Sequence, residues 1–166
     1  MRLFVAIQLS DGIKAVLSAV QTYLRDHGVR GNYTKLENLH LTLAFIGEYS
    51  DPDFVLEVIR SVPFTPFPMR IKGFGSFGDL YWCGIGTNDN LLSYVKRLRR
   101  ALAENGIPFD RKKLSPHITL LRRAEFDKRR GFPGVAVPDV SMQVSSVSLM
   151  RSDRTKSGMV YTEIEP

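Results

Sequence analysis

Cysteine is almost absent from this chain of 166 residues, with Cys83 standing alone. No intramolecular disulfide can form, and a cysteine-rich metal cluster is excluded. A chain without disulfides fits a reducing compartment, so a cytoplasmic location is expected. Long apolar runs are missing too. Nothing approaches the roughly 20 residues that a membrane-spanning helix needs, and no membrane or obligate protein partner is expected. The opening run Met1–Gln8 is too short for a signal-peptide core, and charged Asp11 and Lys14 follow it without a small-residue cleavage site. Acidic residues are outnumbered, 17 against 23 Lys and Arg, for a net charge of +6. The excess is local: Lys96 to Arg130 carries twelve basic and four acidic residues. Such a field attracts a polyanion such as RNA or a nucleotide. Lys96, Arg97, Arg99 and Arg100 read equally well as a solvated helix face.

What is present fits one domain over residues 1–166, because a 43% hydrophobic chain of this length can bury one core. Met1–Gln8 reads as a strand. Ser10 then caps a helix with Ile13, Val16, Leu17, Val20 and Leu24 at helical spacing, which ends at Gly28. His27 belongs to that last turn and is assigned no chemistry. Leu41–Gly47 is a strand, and Ser50-Asp51-Pro52 starts a helix to about Ser61. Met69–Phe77 and Leu80–Ile85 form a hairpin, Asn88–Asn105 a helix, and Ile118–Arg122 a strand. Val140–Met150 and Met159–Ile164 complete the set, joined by the loop Arg151–Gly158. Two halves each hold a long helix followed by a histidine-bearing strand. The pattern predicts a pseudo-duplicated, bilobal α+β fold with sheets lining a central cleft and helices outside.

Histidine occurs only three times, and two of the three open the tetrapeptides His40-Leu41-Thr42-Leu43 and His117-Ile118-Thr119-Leu120. In a strand, residues i and i+2 share a face. Each His therefore sits beside its Thr, while Leu41, Leu43, Ile118 and Leu120 point into a core. One such histidine is more often surface decoration than catalyst; the repetition is what argues for a shared site.

Two other patterns are set aside. Gly73-Phe74-Gly75-Ser76-Phe77-Gly78 has the glycine spacing of a dinucleotide-binding loop, but Asp79-Leu80-Tyr81-Trp82 continues as strand where that loop needs a helix. Turn glycines with interleaved core aromatics fit better. Cys83 lies in the apolar run Tyr81–Ile85 and reads as a structural thiol. The two motif histidines have no Cys, Asp or Glu beside them at ligand spacing, so they make a poor zinc site, and no metal or other cofactor is expected.

Two facing imidazoles can hold opposite protonation states near neutral pH, one accepting a proton while the other donates. Displacement at phosphorus needs that combination, with hydroxyl or cationic groups on the non-bridging oxygens. Thr42 and Thr119 suit the latter role. Arg122 lies on the opposite face of an ideal strand, so it reaches the site only through a bulge or the strand's end.

Arg2–Ile7, Glu37–Gly47 and Ser115–Arg122, together with Phe74–Phe77, Trp82, Leu149–Ser152, Gly158 and Tyr161, resemble the 2H phosphoesterases, in particular the RNA 2′,3′-cyclic phosphodiesterases once called 2′-5′ RNA ligases. The resemblance runs nearly end to end. It implies a bilobal fold with one His-x-Thr motif per lobe, acting without metal on RNA with 2′,3′-cyclic phosphate ends, tRNA fragments among them, or on cyclic nucleotides. By position, His40 matches the proton donor to the 3′ leaving oxygen and His117 the proton acceptor that activates water. Thr42 and Thr119 match the phosphate-binding threonines, Arg122 a basic residue after the second motif, and Phe45 a wall of the nucleoside pocket. Leu121 departs from the small residue frequent there. The implied reaction is metal-independent hydrolysis to a 2′-phosphate, with reversible 2′-5′ ligation as its counterpart. Two alternatives stay open: an RNA-end protein that holds a phosphate without cleaving it, and a metallohydrolase.

Overall fold

The computed structural model describes residues 1–165. In chain order it has β1 (Arg2–Gln8), α1 (Asp11–Asp26), β2 (Arg30–Tyr33), a 3-10 turn (Leu36–Asn38), β3 (His40–Glu48) and α2 (Pro52–Ser61). Then come β4 (Phe67–Phe77), β5 (Leu80–Ile85), α3 (Asp89–Glu104), β6 (His117–Glu125), β7 (Val140–Val144), β8 (Ser148–Thr155) and β9 (Gly158–Glu163). One sheet runs β3-β1-β8-β9 and the other β2-β6-β5-β4-β7, with antiparallel pairing throughout. Among the described residues no helix is long and apolar enough to cross a membrane.

The helices start and stop where their polar flanks dictate. The side chains of Ser10, Asp51 and Asn88 accept the amides of Ile13, Phe54 and Leu91, satisfying donors that the first turn leaves free. Gly28 and Gly106 end α1 and α3 at φ of 83° and 70°, which lets the amides of Val29 and Ile107 return to the carbonyls of Leu24 and Leu102. Both helices are 16 residues long and lie 78 positions apart, and the two motif histidines lie 77 apart. The strand-helix-strand unit β1-α1-β3 is thus repeated as β5-α3-β6.

Packing crosses between the copies. Helix α1 lies on β6 and β7 of the second sheet, while α3 lies on β3 of the first sheet and on α2. Leu3, Val5 and Ile7 of β1 join Leu41, Leu43, Cys83, Ile118 and Leu120 in one continuous buried cluster. Each fully buried aliphatic side chain contributes roughly 1.5–3 kcal/mol. The other face of the first sheet carries a smaller cluster of Phe4, Ala6 and Met150 with Tyr161.

Three differences from the sequence reading have physical reasons. β2 reads Arg-Gly-Asn-Tyr, polar and mostly exposed, and as an edge strand it is held by its pairing to β6 alone. Val140–Met150 divides between the sheets, β7 pairing with β4 and β8 with β1, because Ser145, Ser146 and Val147 carry the chain across. The expected loop Arg151–Gly158 shrinks to a turn at Lys156-Ser157, since β8 stays paired with β9 as far as Thr155. The glycine-rich run is strand and turn: a Cβ on Gly75 would lie 2.5 Å from the Trp82 ring, so the missing side chain makes room for the indole.

Candidate active site

Strands β3 and β6 present the two motifs. Leu41, Leu43, Ile118 and Leu120 have no exposed surface, and His40, Thr42, His117 and Thr119 are half-buried on the opposite faces. Alternation then breaks at the same place in both strands. Val5 pairs with Ala44 but Ala6 with Thr42, leaving Leu43 as an additional residue. Tyr81 pairs with Leu121 but Trp82 with Thr119, leaving Leu120 additional. Each is a β-bulge, which advances the side-chain phase by one. Leu43 and Ala44 are both buried, as are Leu120 and Leu121. Phe45 and Arg122, each five residues after a motif histidine, consequently return to the histidine face. The bulge that Arg122 required is there.

The two imidazoles are held alike. Nδ1 of His40 donates to the carbonyl of Asn38 at 2.7 Å, and Nδ1 of His117 donates to that of Ser115 at 2.6 Å. A carbonyl can only accept, so Nδ1 carries the hydrogen and Nε2 is the atom left for proton exchange. Nε2 of His40 lies 2.8 Å from Oγ1 of Thr42. Neutral His40 accepts from that hydroxyl, and protonated His40 donates to it. Aromatic rings fix each imidazole from the sides: Phe4 and Tyr161 at 4.9 and 5.2 Å from His40, Phe77 and Trp82 at 5.1 and 6.3 Å from His117.

His40 is held below the ordinary histidine pKa, chiefly because burial disfavours its charged form. The Asn38 carbonyl opposes this, and the charges of Arg122, His117 and Lys14 add to it. A cleft of about 400 Å³ brings together Thr42, Phe45, Phe77, Arg99, Lys112, Lys113 and His117, while His40, Thr119 and Arg122 are not among its lining residues. The guanidinium of Arg2 sits 5.2 Å from the Phe45 ring centroid.

Sequence reasoning missed Phe77, Lys112 and Lys113 as cleft residues. Phe77, read as a core aromatic, is 48% exposed, because it closes the β4–β5 hairpin beside His117. The two lysines come from the loop before β6, and the clue was the basic run Arg111-Lys112-Lys113 just ahead of the second motif. Cys83 is fully buried and its thiol is pushed up to about 12 by desolvation, which keeps it protonated. His27 bonds the carbonyl of Tyr23 at 2.8 Å at the end of α1, away from both motifs. Among the described residues no group of three His, Cys, Asp or Glu is arranged to hold a metal ion.

Two antiparallel sheets, three helices and paired His-x-Thr strands about a cleft define the 2H phosphoesterase class of fold. Structures of E. coli LigT share it over 99% of this chain: the apo form covers 94% of LigT at 25% identity with a TM-score of 0.81, and a form complexed with 3′-AMP gives 0.79. Residues 9–156 match the 2′-5′ RNA ligase superfamily, and the chain belongs to that family. It is 32% identical to a Thermus thermophilus protein named RNA 2′,3′-cyclic phosphodiesterase, over 99% of this chain and 88% of that one. A Thermotoga maritima protein of the same name is 28% identical, over 97% and 91%.

Proposed function

We propose that the chain, as one bilobal unit over residues 1–166, hydrolyses RNA or nucleoside 2′,3′-cyclic phosphates to 2′-phosphates in the cytoplasm. The observation that carries this reading is the matched pair of imidazoles, each with Nδ1–H tied to a carbonyl two residues back, which leaves Nε2 of each as the atom for proton exchange. The names of its relatives support the substrate class. His117 takes the proton of a water that attacks phosphorus. As the new P–O bond forms, the P–O3′ bond breaks, and His40 protonates the departing 3′ oxygen. The hydroxyls of Thr42 and Thr119 donate to the non-bridging oxygens as these gain charge, and Arg122 supplies positive potential. Phe45 and Phe77 offer faces for the nucleoside. A 5′-hydroxyl of a second RNA in place of water gives a 2′-5′ linkage by the same steps.

The test is incubation of an RNA with a 2′,3′-cyclic phosphate end in EDTA, followed by identification of the terminal phosphate. A 2′-phosphate is expected. A 3′-phosphate would overturn the assignment of the leaving oxygen, binding without product would favour an RNA-end binding protein, and activity abolished by EDTA would favour a metallohydrolase.

The pH profile carries a further expectation. In His117→Ala the remaining requirement is a protonated donor, so its residual kcat/KM falls along an alkaline limb that follows His40 alone, and burial holds His40 below the ordinary histidine value. Arg122→Gln added to that variant removes a positive charge that lowers the His40 pKa, so that limb should move to higher pH. A limb that stays put, or moves down, contradicts the donor role of His40.

A further inference from the structure

Each motif strand has its bulge carbonyl captured by a helix side chain, and the two captures are related by the internal repeat. From α1, Nε2 of Gln21 donates to the carbonyl of Leu120 at 2.9 Å and to that of Thr34 at 2.9 Å. From α3, Arg99 donates to the carbonyl of Leu43 through Nη2 at 3.0 Å and Nε at 3.3 Å, and through Nη1 to the carbonyl of Lys112 at 2.7 Å. Gln21 and Arg99 are both the eleventh residue of their 16-residue helices. Leu43 and Leu120 are both the third residue after a motif histidine and both the additional residue of a bulge. Thr34 lies in the segment leading to His40, and Lys112 in the loop leading to His117.

The connections therefore cross. Gln21 ties the strand of His117 to the approach segment of His40, and Arg99 ties the strand of His40 to the approach loop of His117. We infer that Gln21 and Arg99 are paired positioning residues that brace the two His-x-Thr motifs at a fixed separation, an inference that rests on the paired-histidine chemistry proposed above.

The chemistry of the two side chains fits this task. Gln21 is only 3% exposed, and a buried amide is retained where its hydrogen bonds are needed. The guanidinium of Arg99 spans two carbonyls with a rigid planar fork, which a lysine ammonium cannot reproduce. Burial holds the Arg99 pKa below its usual value, with Asp110 opposing, and its placement corrects the solvated-face reading for this residue. Lys96, Arg97 and Arg100 on the same helix are exposed. Neighbouring bonds strengthen both braces: Oγ1 of Thr34 donates to the Thr119 carbonyl at 2.9 Å, and the amide of Asp110 donates to the Phe45 carbonyl at 2.8 Å. Because proton transfer at both ends of one phosphate needs the two Nε2 atoms placed to a fraction of an ångström, loosening either brace should slow chemistry more than binding.

The test uses the full chain with Arg99→Lys, Gln21→Met and the double variant, assayed on a cyclic-phosphate RNA well below each melting midpoint. Each single variant should lose tenfold or more in kcat with KM within about threefold. The double variant should lose much less than the product of the two, since the braces hold the same separation. A second readout is independent of turnover: the ring-proton NMR resonances of His40 and His117 should both move in each single variant, while His27 stays as the internal reference. Unchanged kcat and unmoved His40 and His117 signals alongside a lowered melting midpoint would reduce both residues to structural supports and overturn the inference. If the unaltered protein fails to turn over the RNA, the proposed activity falls, and the histidine signals still decide the brace.

Discussion

His117→Ala and His40→Ala should each lower kcat/KM on a 2′,3′-cyclic-phosphate end by roughly 10²–10⁴-fold with the fold intact. Both imidazoles sit on the half-buried faces of their strands, opposite the core, and the apolar anchors beside them, Leu41, Leu43, Ile118 and Leu120, are untouched by either change. The strands therefore keep their pairing and their burial. The two losses have different signatures. Without His117 the group that must be unprotonated is gone, so the acid limb of the kcat/KM profile flattens. Without His40 the protonated donor is gone, and the alkaline limb flattens instead. The double variant should be little worse than either single one, because a relay that lacks one member already fails. Turnover over a range of pH, with a circular-dichroism melt of each variant, checks all of this. Undiminished activity in either single variant removes the histidine pair from the mechanism.

The site's outline was readable because it depends on short-range rules. A two-residue period places each His beside its Thr, and Ser10, Asp51 and Asn88 announce the helices they cap. The reach of Phe45 and Arg122 was not settled by that period, since it depends on bulges at Leu43 and Leu120 that are defined by pairing with β1 and β5. A trace was still present: an apolar doublet, Leu43-Ala44 and Leu120-Leu121, follows each His-x-Thr and marks where alternation must fail. Leu121, which resembled a departure from the family pattern, is the buried second member of one doublet. The roles of Gln21 and Arg99 were hidden for another reason. Each is a polar residue directly after an apolar-stripe position, Val20 or Leu98, and only the crossed packing of α1 and α3 reveals which carbonyl it meets. The division of Val140–Met150 was equally unreadable, because strand propensity does not say to which sheet a strand belongs.

Thr42→Val and Thr119→Val should each reduce kcat by about 10²-fold, the scale expected when one donor to a charge-gaining oxygen is lost. Valine keeps the β-branched shape that suits a strand, so pairing is preserved while the hydroxyl is removed. The two variants should not be equal. Oγ1 of Thr42 also meets Nε2 of His40 at 2.8 Å, so Thr42→Val removes both an oxyanion donor and the partner of the atom that must give up its proton. It should therefore show the larger fall in kcat. Thr→Ser at either position retains the hydroxyl and should restore most of the rate. Steady-state kinetics on a cyclic-phosphate RNA, with melting midpoints to show that folding is retained, separate these outcomes. Valine variants that turn over within threefold of the unaltered protein would take the threonines out of charge stabilisation and leave that work to Arg122 and the cleft lysines.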